Sequence, residues 1–215
     1  MKSLTDNDII LKAACYGLLP SILAPVVDGN NWKVGFLGAA RFVLGKKLAK
    51  IRLRGSAVKV QERLSKFFAA NEAIEPTPEE QALAAKLEAL AQLQAVNLDT
   101  GESQLVSILI SRDLRWLLTG DKRAVVAIER LLDEEVSLHV VKGRVMSLEQ
   151  LVYSLQANGE SITIRAAVCG EPDIDRSLKI CFACSSTEAE PSSVMEGLKN
   201  YIADLRKMAP RVLAT

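Results

Sequence analysis

Apolar residues recur along this chain in two rhythms: short unbroken runs, and longer stretches with a period near that of a helix. Unbroken runs predict strands covered on both faces, and helical periods predict amphipathic helices; their alternation predicts a parallel α/β sheet. Lys2 to Thr5 predicts a short first strand. Ile9 to Leu18 predicts a helix that is apolar nearly all round, suited to an element pressed between a sheet and other helices. Val34 to Leu37 is too short to decide between a strand and the first turn of a helix. From Ala39 onward Ala40, Val43, Leu44, Lys47, Leu48 and Ile51 keep helical spacing, which sets Lys46, Lys50 and Arg54 on a different face. Ala57 to Ala70 predicts a further helix, and Asn71 to Thr77 breaks it. Thr77-Pro78-Glu79-Glu80 then starts another: a capping threonine, a proline in the first turn and a glutamate that closes the box.

The pattern is clearest from Leu98 to Leu132. Asp99-Thr100-Gly101 is a turn, Glu102 opens an apolar helix, Trp116 to Thr119 is a buried strand, and Asp121 opens a second helix. Val136 to Val141, with alternating Val136, Leu138 and Val140, predicts another strand. A helix opens at the Ser147 to Gln150 capping box and closes at Asn158-Gly159. Pro20 to Asn31 is a connection with turn chemistry at Asp28-Gly29-Asn30. Beyond Gly159, Ile162 to Val168 reads as strand or helix, Asp173 to Cys184 leans helical, and Ser192 to Met208 is amphipathic through Val194, Leu198, Tyr201, Ile202 and Leu205. The expectation is a three-layer α/β fold with a central parallel sheet over residues 1–159. A mainly helical C-terminal extension over 160–215 would pack on it or on a partner.

Composition narrows the setting. The chain has 215 residues, 49% of them hydrophobic and 25% charged, a globular balance. The charge-free run Ala13 to Val27 is broken by Pro20 and Pro25 and is too short to span a bilayer. Asp6 and Asp8 stand where a secretory signal needs a basic start, so a cytoplasmic protein with no membrane partner is expected, its four cysteines free thiols in a reducing compartment. The net charge of +1 hides an asymmetry: residues 33–66 hold ten Lys or Arg and one acid, Glu62, whereas residues 72–102 hold seven acids and one base, Lys86. The basic block is either a solvated face or a surface for a polyanion. A membrane-surface helix fits less well, because Phe42 is the one aromatic of its apolar face.

Several chemistries fall away. The single histidine, His139, has no nucleophile motif around it. Cys181-Phe182-Ala183-Cys184, even with Cys169, lacks the second pair of a zinc site, and its apolar neighbours favour buried thiols. Gly45-Lys46-Lys47 fails as a phosphate loop, because Ala40 stands where that motif needs a glycine and Lys47 where it needs a hydroxyl. What remains is a set of carboxylates, Asp6, Glu102 and Asp121, on the strand edge where open α/β sheets place ligands. Helix capping explains each of them singly.

Taken in order, Thr5-Asp6-Asn7-Asp8-Ile9-Ile10, Gly101-Glu102 and Leu117-Leu118-Thr119-Gly120-Asp121-Lys122 resemble the PIN-like nuclease domains. The likeness is strongest to bacterial members in which a Gly-Glu pair supplies the third acid and a Thr-x-Asp or Asp-Asp the fourth. It covers residues 1–159, with an enlarged helical insertion at about 39–96. The resemblance implies a cluster of acids that holds Mg2+ or Mn2+ and activates water for in-line attack on a phosphodiester, usually in RNA. It makes Asp6 the first acid, Glu102 the third and Asp121 the fourth, with Asp8 the polar residue two positions after the first. Thr119, Lys122 and Arg123 stand beside the site to hold substrate, together with Arg41, Lys46, Lys47 and Lys50.

The second acid of the family is missing from Gly38-Ala39-Ala40-Arg41-Phe42-Val43. Arg41 in its place would oppose a second cation, unless Glu62 or Glu72 swings in from the insertion. Two functions follow from the resemblance. One is a metal-dependent endoribonuclease, the effector of a toxin-antitoxin pair or a related defence module, with an antitoxin or other protein partner and room for a homo-oligomer. The other is a catalytically silent PIN-like protein that binds nucleic acid or a protein partner through Arg41 and the Lys46 to Arg54 face.

Overall fold

The computed structural model describes residues 2–26, 33–158 and 161–215; the turn expected at Asp28-Gly29-Asn30 and the helix stop at Gly159 lie outside them. Strands β1 (Ser3–Thr5), β2 (Val34–Leu37), β3 (Glu72–Ile74), β4 (Trp116–Thr119) and β5 (Val145–Ser147) form one all-parallel sheet in the order β3-β2-β1-β4-β5. The fold is therefore the expected α/β architecture, helices covering both faces of a parallel sheet. The chain builds outward from β1 through β2 to β3, then crosses back to lay β4 and β5 on the other side. That reversal opens a crevice beyond the carboxyl ends of β1 and β4.

The strands are short, and in the central ones neighbouring residues serve different cores. Phe36 and Leu118 face one hydrophobic cluster, Leu37 and Leu117 the other, as the two-residue period of a strand requires. The first cluster draws in α1 (Asn7–Tyr16), α2 (Leu19–Leu23), α3 (Ala40–Leu48), α4 (Ala57–Ala70) and α8 (Leu148–Ala157). The second draws in α5 (Pro78–Leu93), α6 (Thr100–Ser111) and α7 (Lys122–Leu131). Helix starts match the local chemistry: the Thr77/Glu80 and Ser147/Gln150 capping boxes are both formed.

Several expectations are corrected. Val136–Val141 is a 3-10 helix, with Leu138 and Val141 buried at a spacing of three and Val136 exposed, so the alternating Val136, Leu138 and Val140 do not share a buried face and form no strand. The strand of this region is β5, just beyond it, at one end of the sheet. Asn71 to Thr77 is more than a break, because it holds β3, whose Glu72 and Ala73 are exposed and gave no apolar run to detect. The expected helical insertion thus contributes a strand to the sheet. α3 stops at Leu48, so Lys50 and Arg54 do not share a helical face with Lys46. Cys169 and Cys184 form a disulfide, their Cα atoms 5.0 Å apart, and only Cys15 and Cys181 are free thiols, both buried. No spacing rule announces a pair that tertiary packing brings together.

The segment Ile162 to Val168, undecided from sequence, lies in α9 (Ser161–Gly170); α10 (Arg176–Cys181) and α11 (Pro191–Met208) follow it. These helices are part of the core: Leu178, Phe182, Val194 and Leu198 join the first cluster, and Leu205, Val212 and Leu213 the second. The chain end runs beside β5, with the Val145 N–H donating to the Val212 carbonyl at 3.1 Å and Ala214 N–H to the Val145 carbonyl at 2.7 Å. The buried Glu129 carboxylate locks this arrangement, accepting from the Arg211 and Val212 amides at 2.9 and 3.0 Å and from the Arg211 guanidinium. Among the described residues, no helix is long and apolar enough to cross a membrane.

Removing the guanidinium leaves Glu129 buried with less compensation. Arg211→Ala is expected to destabilise the fold, because it strips a partner from a buried carboxylate. A urea titration checks this, and an unchanged midpoint would show that the tail contributes nothing through this contact.

Candidate active site

Asp6 follows β1 directly, where the chain leaves the sheet. Its backbone N–H still donates to the Leu118 carbonyl at 3.0 Å, as though the strand ran one residue further. Its side chain caps α1 by accepting from the Ile9 N–H at 2.7 Å. The other carboxylate oxygen accepts from the Thr119 hydroxyl at 2.6 Å and from the Gly120 N–H at 3.2 Å. Thr119 in turn accepts from the Asp121 N–H at 3.1 Å, so a single hydroxyl joins the ends of β1 and β4. Burial, followed by the neighbouring Asp8 charge, raises the Asp6 carboxyl to about 6, against the lowering effect of the hydrogen bonds it accepts.

Glu102 comes from a third element. It sits in the first turn of α6 and closes a capping box with Asp99: its carboxylate accepts from the Asp99 N–H at 2.9 Å, and Asp99 accepts from the Glu102 N–H at 2.8 Å. Burial raises its carboxyl to about 8; the charges of Asp99, Asp121 and Asp6 push the same way, and the Asp99 N–H opposes them. Asp121 caps α7, accepting from the Arg123 N–H at 2.8 Å and from the Arg123 guanidinium at 2.7 Å. Burial raises its carboxyl, but the Arg123 bonds outweigh burial and the net shift is downward.

Asp6, Glu102 and Asp121 all line one cleft of about 860 Å³ at the carboxyl edge of the sheet, with Asp8, Lys12 and Lys47 among its other walls. Gly120 permits this crowding, because a Cβ there would lie 2.0 Å from Asp8 Oδ2. Among the described residues, no three His, Cys, Asp or Glu side chains stand arranged as a metal cage. Glu102 is turned back onto the Asp99 amide and Asp121 onto Arg123, so a cation in the cleft would draw on carboxylates that now serve as caps.

The other sequence-predicted residues divide. Lys47 and Arg123 line the cleft, and Asp8 pairs with Lys12 at 2.6 Å on its wall. Thr119 is buried and positions Asp6 and Asp121. Lys122 also borders the cleft, but its ammonium is held by the buried Glu149 at 2.5 Å and by the Ser177 hydroxyl at 3.0 Å, over the Tyr201 ring. Arg41 stacks on Phe68, its guanidinium 5.8 Å from the ring centroid, and is not part of the cleft wall; Ala39, Ala40 and Val43 are. Lys46 and Lys50 are exposed outside the lining, and Glu62 borders a separate groove between α3 and α4. Glu72 lies at the start of β3, at the opposite end of the strand from the carboxyl edge.

Four participants escape sequence reading. Lys12 bridges Asp8 and Asp175, the latter at 2.8 Å; only its four-residue spacing from Asp8 hinted at this. Asp175 and Ser177 bring α10 to the cleft wall from far along the chain, with no local signal. Glu75, just after β3, covers Gly38: a Cβ on that glycine would meet its Oε1 at 2.0 Å, which sets a carboxylate beside the segment where the second acid was expected. His139 Nε2 lies 3.2 Å from the Leu132 carbonyl, a structural contact. Comparison of the chain with protein-family models, with curated proteins and with solved structures finds no match.

The pKa shifts carry a stability consequence. Asp6 and Glu102 have folded-state values above their unfolded ones, so the stability they contribute is full below the ordinary carboxylate range and is lost as pH rises through about 6 and then about 8. The melting temperature in metal-free buffer is expected to fall over that interval. Glu102→Gln, which keeps the capping box, should flatten its upper part; an identical pH profile in the variant would contradict the assignment.

Proposed function

We propose that this protein is a Mg2+- or Mn2+-dependent nuclease of PIN type acting on RNA. The observation that carries the reading is the convergence of Asp6, Glu102 and Asp121 on one cleft, from stretches far apart in sequence and on the ligand-binding edge of a parallel sheet. The donor set suits such an ion: carboxylate oxygens are the ligands of these hard cations. Burial and mutual repulsion already push two of the carboxyls upward, which is the cost a bound cation would relieve.

Asp6, Glu102 and Asp121 would hold the metal, which when bound supplies Lewis-acid stabilisation of a phosphodiester and a more acidic water. The chain's own residues do the rest. Thr119 keeps Asp6 and the Asp121 backbone in register. Lys47 and Arg123 present positive charge to a phosphate in the cleft, and Lys12 keeps Asp8 paired beside Gly120. An effector role in a toxin-antitoxin or defence module would extend this reading through a protein partner that covers the cleft.

A second reading, a catalytically silent nucleic-acid binder, is favoured by two observations. Glu102 and Asp121 are already satisfied at their own helix ends, and the α3 wall offers Ala39, Ala40 and Val43 in place of an acid.

Calorimetric titration of Mn2+ separates the two. The wild-type protein is expected to bind saturably, and Asp121→Asn to weaken binding by roughly tenfold or more, the scale on which even outer-shell partners act. Asparagine still caps α7, so the variant's stability should stay within about 1 kcal/mol of wild type. Loss of RNA cleavage should accompany the loss of metal. Absence of binding in both proteins would overturn the nuclease reading in favour of the silent one.

A further inference from the structure

The basic block of the sequence is only partly absorbed by the fold. Arg63 donates to the Ala14 and Cys15 carbonyls at the end of α1, Arg41 stacks on Phe68, and Arg54 lies 3.8 Å from Asp173. Lys46, Lys47, Lys50, Lys59 and Lys66 are exposed and make no ion pair among the described residues. Lys46 and Lys47 sit in the last turn of α3, where the helix dipole favours a cation. That account fails for Lys59, which lies in the first turn of α4, where the dipole disfavours one. Folding therefore does not explain the whole set.

Two apolar features lie among these charges. Phe42 is 75% exposed and Val58 68% exposed. Between α3 and α4 runs a groove of about 650 Å³ whose wall includes Gly45, Ala49, Val58, Ser65 and Lys66, with Glu62 the one acid on its rim. At Gly45 a Cβ would meet nothing within 4 Å, so the groove is open there. α3 separates this groove from the acidic cleft, since Leu48 and Ala49 border the first and Val43 and Lys47 the second.

We propose that the α3–α4 surface binds single-stranded nucleic acid, with Lys46, Lys50, Lys59 and Lys66 on the backbone phosphates and Phe42 as a stacking platform, and that Lys47 leads the strand over α3 into the cleft. Cations free of partners meet a phosphate backbone by charge complementarity and counterion release. An exposed aromatic on α3, one of the two helices that wall the groove, meets the faces of unpaired bases, which a duplex hides in its stack. Only the last part of this path, entry into the cleft, rests on the nuclease reading; binding to the surface does not.

The test is fluorescence anisotropy of a labelled oligouridylate of about 12 nucleotides, within the span that single-strand sites occupy. It is run with excess EDTA, so that neither metal nor cleavage contributes. The full-length protein is expected to bind with an affinity that falls with salt. The triple variant Lys46→Gln, Lys50→Gln, Lys59→Gln should reduce the magnitude of the log-log salt slope by about 2, at roughly 0.7 per phosphate contact. Phe42→Ala should weaken binding by roughly tenfold with the slope unchanged. Both variants alter exposed side chains, and Mn2+ titration of each should match wild type. Wild-type affinity and slope in both variants would overturn the proposal. So would equal binding of the matching duplex, or binding to phosphatidylserine vesicles with none to the oligonucleotide. Oligonucleotide binding without any Mn2+ binding would leave this surface standing and overturn the nuclease reading alone.

Discussion

The hydrogen bond from the Thr119 hydroxyl to Asp6, at 2.6 Å, is the contact on which the cleft depends. It spans the point where the strand order reverses, between the ends of β1 and β4, and the same hydroxyl accepts the Asp121 amide. Asp6 is buried, and a buried carboxylate is tolerated only when donors surround it. The Ile9 amide, the Thr119 hydroxyl and the Gly120 amide meet that demand, and in doing so they set where α1 begins and how β4 turns into α7. One polar requirement thus fixes two helix starts and the floor of the site.

Around that floor, the walls come from parts of the chain that have no local reason to meet. The C-terminal helices supply Asp175 and Ser177, which hold Lys12 and Lys122, while the chain end is fastened to β5 and Glu129. The C-terminal helices and chain end also contribute to both hydrophobic clusters, Leu178, Phe182, Val194 and Leu198 to the first and Leu205, Val212 and Leu213 to the second. The C-terminal stretch is therefore structural to the site as well as to the core.

The two sides of α3 differ in their surroundings. On one side lies a cleft where carboxylates are crowded enough for burial and repulsion to raise Glu102 and Asp6; on the other lies a surface of exposed lysines around an apolar groove. A net charge of +1 conceals the lysine surface, because the basic block at residues 33–66 is offset in the sum by acids elsewhere in the chain.

What the sequence by itself determined is what short-range physics controls. Helix starts at Thr77 and Ser147 follow from hydrogen bonds that reach three residues, and the long helices follow from apolar period. The candidate acids Asp6, Glu102 and Asp121 were legible because each marks a helix start beside a strand or turn, and those are local signs. Tertiary structure decided the rest. β3 is a strand only because β2 lies beside it, since its own residues are largely exposed, and Val136–Val141 became a 3-10 turn because its buried residues face a core three positions apart. The disulfide, the Lys12 bridge to Asp175, the capture of Lys122 by Glu149 and the stacking of Arg41 on Phe68 all join groups distant along the chain. Such pairings carry no signature in the residues next to them, because their energy exists only once the sheet and its two helical layers have brought the partners within reach.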